Sequence, residues 1–138
     1  MYRRDLLTAE IQKLAQALAR MMGLKLEGKL EEAENELNGI LEHDFGILLK
    51  DLLSSSESDF ALYLDSKDFP SEKLDMLSQL LYSKLDLQVA DLDNQSLAGK
   101  LLQIYQLLES KHHVVNMISL DRQKLIRKYL NENLPDSR

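Results

Sequence analysis

The chain contains no cysteine, which removes disulfides, thiolate metal sites and a cysteine nucleophile from consideration together. Long apolar runs are missing as well, since no stretch approaches the roughly 18 to 20 residues needed to cross a bilayer. Tyr2-Arg3-Arg4-Asp5 leads straight into a segment holding Gln12, Lys13 and Gln16, unlike the uninterrupted apolar core of a signal peptide. A cytoplasmic protein with no membrane segment is expected. Aromatic residues make up only 6% of the 138 residues, so the stacking platform that single-stranded nucleic acid needs is lacking too.

Positive charge is scarce in the middle of the chain. From Leu30 to Phe60 the carboxylates of Glu31, Glu32, Glu34, Glu36, Glu42, Asp44, Asp51, Glu57 and Asp59 face one cation, Lys50, within a net charge of −6. The cations collect at the two ends, as Arg3, Arg4, Lys13, Arg20, Lys25 and Lys29 and as Arg122, Lys124, Arg127 and Lys128. An acidic centre repels phosphate, and no nucleic-acid partner is expected.

What is present is helical periodicity over a length that suits one domain, 1–138, with its own core. Leu7, Ile11, Leu14, Leu18 and Met21 recur at the four-three spacing of one helical stripe, which predicts a first helix over about 5–26. Gly28 suits the left-handed residue that ends a helix, and Lys25 and Lys29 suit the negative end of its dipole. Leu30, Ala33, Leu37 and Ile40/Leu41 stripe a second helix whose Glu31 and Glu32 lie in the favoured first turn. The pair predicts an αα-hairpin over about 5–43.

Over about 45–69 the pattern predicts short, irregular helices. Phe45, Leu48, Leu49, Leu52 and Leu53 form a stripe that stops at Ser54-Ser55-Ser56, where hydroxyls compete for backbone hydrogen bonds. One or two turns follow around Phe60, Tyr63 and Leu64, then a polar loop over 65–68. Over about 70–134 longer helices return. Phe69-Pro70-Ser71 opens one striped by Leu74, Leu77, Leu81 and Leu85 and running to about Leu92, with Asp93-Asn94 as the break and cap. Leu97, Leu101, Ile104 and Leu108 stripe the next. The last is expected to begin near Ser119, to turn Leu125, Ile126, Tyr129 and Leu130 inward and to be closed by Pro135. Val114-Val115 leans towards strand, but no period-two stretch is long enough to make one. The class is all-α, with about five to seven helices.

No residue cluster points to catalysis, and the chain is expected not to be an enzyme and to need no cofactor or metal. Adjacent residues on a helix point about 100 degrees apart, so His112 and His113 cannot both face one ion from helical backbone. His43, between Glu42 and Asp44, reads as an exposed residue whose proton affinity the acids raise. The run Glu31, Glu32, Glu34, Glu36 reads as the wet face of a helix. Gly23 and Gly39 belong to no phosphate-cradling pattern, and Ser54 to Ser58 has no GxSxG context.

The Glu27-Gly28-Lys29 turn, with Ala33 early in the second helix and Leu37 after it, resembles one unit of a tetratricopeptide repeat, a helix pair of about 34 residues. Ala98, Leu102 and Tyr105, with Leu74 to Leu92 as the preceding helix, match a second unit about two repeat lengths on. The segment from Phe45 to Asp68 does not match one. The opening YRRDLLTAEIQKLAQALARMMGLKLEGKLEEA also resembles the start of a bacterial family of small helical proteins with tetratricopeptide-like hairpins. These resemblances imply a helical scaffold that binds a protein or peptide, with the first helix of the pair lining the binding face. That places Lys13, Gln16 and Arg20 at the partner, and their charge suits an acidic segment or a free carboxylate. A structural or regulatory subunit of a larger complex is the alternative, and a small-ligand-binding helical protein a further one. Met21-Met22, Leu24 and Leu26 point to more azimuths than one hairpin partner covers, which also leads us to expect a homodimer.

Overall fold

The computed structural model describes residues 2–133, so Pro135 lies outside them. The chain is all-α: seven helices run in the order α1 (Tyr2–Leu26), α2 (Leu30–Phe45), α3 (Leu49–Ser54), α4 (Glu57–Lys67), α5 (Ser71–Lys84), α6 (Leu92–Ser110) and α7 (Met117–Glu132), with no strand among the described residues. Contacts group the chain into two compact units, Met1–Asp51 and Leu52–Arg138.

In the first unit α1 packs on α2 as a helical hairpin. Its turn works as the sequence implies. Gly28 takes the left-handed conformation, with φ at 80°. The Lys29 N–H then reaches back to the Leu24 carbonyl at 2.8 Å and the Gly28 N–H to the Lys25 carbonyl at 3.0 Å. This paired return satisfies two carbonyls that the helix end would leave orphaned. Beyond the turn, Ala33, Leu37, Ile40, Leu41 and Phe45 are the buried residues of α2. Leu30 departs from its expected stripe, because as the first residue after the turn it remains outside and 62% exposed. Phe45 belongs to α2 rather than to a following helix. The reason is Gly46, left-handed at φ 66°, whose N–H returns to the Leu41 carbonyl and stops α2 there.

In the second unit α6 is the central element and packs against α4, α5 and α7. It buries Leu97, Ala98, Leu101, Ile104, Tyr105 and Leu108, and the core is completed by Phe60, Leu64, Leu74, Leu77, Leu81 and Ile126. Side-chain caps set where helices start. Ser56 Oγ accepts from the Asp59 N–H at 3.0 Å, and Asp91 Oδ1 from the Asn94 N–H at 2.7 Å. Asn116 and Ser119 form a reciprocal capping box, which starts α7 at Met117, two residues ahead of its expected first residue.

Other differences have local causes. α4 runs three turns through Lys67, so the segment expected as loop is helical up to Asp68, which takes the left-handed conformation. α5 ends at Lys84 although its leucine stripe continues to Leu85. Asp86 Oδ1 accepts from the Gln88 N–H at 2.9 Å, and Asn94 Oδ1 accepts from the Asp86 N–H at 3.0 Å. These side chains hold residues 86–89 in a turn that replaces further helix. In α7 Ile126 and Tyr129 are buried, whereas Leu125, expected inward, is 47% exposed.

Ala33 is buried in the first turn of α2, close behind the hairpin turn. Ala33→Leu should lower stability by about 1 to 3 kcal/mol through overpacking, read as a lower midpoint in thermal or urea unfolding. An unchanged midpoint would mean that α1 and α2 leave spare room at this position.

Candidate protein-binding surface

With one residue every 100 degrees, α1 presents three separate faces. Leu14, Ala17 and Met21 are buried and define the first, with Leu7, Ile11 and Leu18 half-buried at its edge. The buried line is thus shifted to one side of the stripe that the leucines outline. Ala17 enters it because α2 lies on that side.

The second face carries Lys13, Gln16 and Arg20, all exposed. It runs along the seam with α2. Arg20 donates to Glu36 Oε1 from Nη2 at 2.6 Å and from Nε at 3.0 Å, so its charge is answered within the hairpin. Lys13 borders an open depression of about 300 Å³ between the helices. Gly39 opens that depression by having no side chain, and Glu36, Ile40, His43 and Asp44 line it from α2. His43 Nδ1 stands 3.4 Å from Asp44 Oδ1. With two carboxylates facing one lysine and the Arg20 guanidinium already occupied, the depression is a poor receptor for an acidic segment. The structure brings Lys13 and Arg20 to one seam and leaves Gln16 outside it.

The third face was read from the sequence only in part, through Met22 and Leu26. Thr8, Gln12, Ala15, Ala19, Met22 and Leu26 repeat at four-three spacing, and all six are exposed. None is charged, while Arg4, Asp5, Glu10, Lys13, Arg20 and Lys25 all fall elsewhere on the helix or beyond the end of the face. Met22 is 52% and Leu26 90% exposed. Half-buried Ile11 and Leu18 border the face and widen it. The signal for it in the sequence is an absence of charge at helical period.

The second unit offers polar groups that are committed to its own structure. Ser96, Lys100 and Gln103 follow one another along α6 and take the carbonyls of Leu53, Ser55 and Glu57 in turn, at 2.6, 2.7 and 2.9 Å. Lys100 Nζ also donates to Ser96 Oγ at 3.1 Å and sits 6.0 Å from the Phe60 ring centroid. Burial lowers the pKa of Lys100 and the Glu57 carboxylate partly restores it. Tyr129 Oη donates to the Val89 carbonyl at 2.6 Å and accepts from the Asn94 amide at 3.0 Å. Arg122 lies 4.4 Å over the Tyr82 ring, which takes one cation out of the basic end. The Tyr105 hydroxyl is buried near Arg122 and Ser78 without a well-formed hydrogen bond to either.

His112 and His113 fall in the turn after α6, and His113 takes the left-handed conformation. Among the described residues no three His, Cys, Asp or Glu side chains gather as a metal site would require, and no helix is long and apolar enough to cross a membrane. No family model, curated protein or solved structure matches the chain.

Burial raises the pKa of Tyr63 and of Tyr105, for the latter against the opposing charge of Arg122. Above about pH 10 the unfolded chain releases tyrosine protons that the folded chain retains, so stability falls as pH rises. Lys100 acts in the opposite sense, because its depressed pKa costs stability at neutral pH and that cost fades as the pH approaches 10.5. Melting midpoints between about pH 8 and 11 should therefore fall less steeply in a Tyr63→Phe, Tyr105→Phe double variant and more steeply in Lys100→Met. Parallel curves for all three proteins would contradict this assignment.

Proposed function

We propose that the protein is a helical binding module whose third α1 face, from Thr8 to Leu26, docks on another protein. The exposure of Met22 and Leu26 on a face without charge is the observation that carries this reading. Fully burying such side chains is worth about 1.5 to 3 kcal/mol each. An exposed ion pair such as the one between Arg20 and Glu36 contributes about 0 to 1 kcal/mol. The apolar face is therefore the stronger source of affinity, and Arg20 serves chiefly the hairpin. Gln16 borders the docking face and extends its rim. The resemblance to tetratricopeptide hairpins agrees with this role, and we assign the module to the bacterial cytoplasm on the same resemblance. Neither a cofactor nor a catalytic step enters the proposal.

Site-specific photocrosslinking tests it. A benzophenone amino acid at Met22 or Leu26, introduced in cells of the source organism, should give discrete protein adducts, whereas the same probe at exposed Glu42 on α2 should give few. Equal labelling at all three positions, or none, would place binding elsewhere or remove it.

A further inference from the structure

We draw no further inference here: the strongest candidate, the uncharged face of α1 that ends at Met22 and Leu26, belongs to the surface already described, and nothing in the structure shows what covers it.

Discussion

A helix that packs against a single neighbour can bury only one of its faces, and α1 within its unit has α2 as that neighbour. Its 25 residues make about seven turns. Leu14, Ala17 and Met21 use the buried line, and Arg20 closes the adjoining seam through Glu36. The remaining azimuths could have carried lysine and glutamate, as the outer side of α2 carries Glu31 and Glu42. Instead, the face made by Thr8, Gln12, Ala15, Ala19, Met22 and Leu26 carries none. Leaving Leu26 almost wholly in water forgoes burial energy that neither a shorter helix nor a charged residue would forgo.

The second unit is organised by the opposite economy of surface, since α6 is surrounded. Its polar side chains serve the backbone of the α3 to α4 connection through the successive carbonyls of Leu53, Ser55 and Glu57. A lysine that is only 6% exposed is tolerable because its ammonium has two oxygen acceptors and an aromatic ring beside it. Truncating it would leave the part-buried Ser55 carbonyl without this donor. This cluster is structural, and its chemistry is spent within the unit.

The hairpin was legible in the sequence because its signals are local. Gly28 meets a φ that other residues resist, and the Leu37 stripe needs no knowledge of distant residues. Helix ends set by side chains several residues away were not. The leucine spacing of α5 carries on past Lys84, and only the contacts from Asp86 and Asn94, eight residues apart, decide the stop. Leu125 was misplaced for a related reason, since Ile126 and Tyr129 fix the rotation of α7 and turn Leu125 towards solvent. The candidate site was half legible. Lys13 and Arg20 were visible as cations on one side of α1, but whether α2 would answer them depended on Glu36, across the turn. The uncharged face was written in the sequence at plain helical spacing, but of its residues only Met22 and Leu26 stand out by type.

We infer that the third face of α1 is covered in solution. Sedimentation equilibrium of the unmodified chain, beside an Ala15→Glu, Ala19→Glu variant, tests it most directly over micromolar to near-millimolar concentration. A face covered by a second copy gives twice 15.9 kDa for the unmodified chain and a single chain mass for the variant, with the same helical content and a lower melting midpoint. A single chain mass for both proteins throughout that range would contradict it.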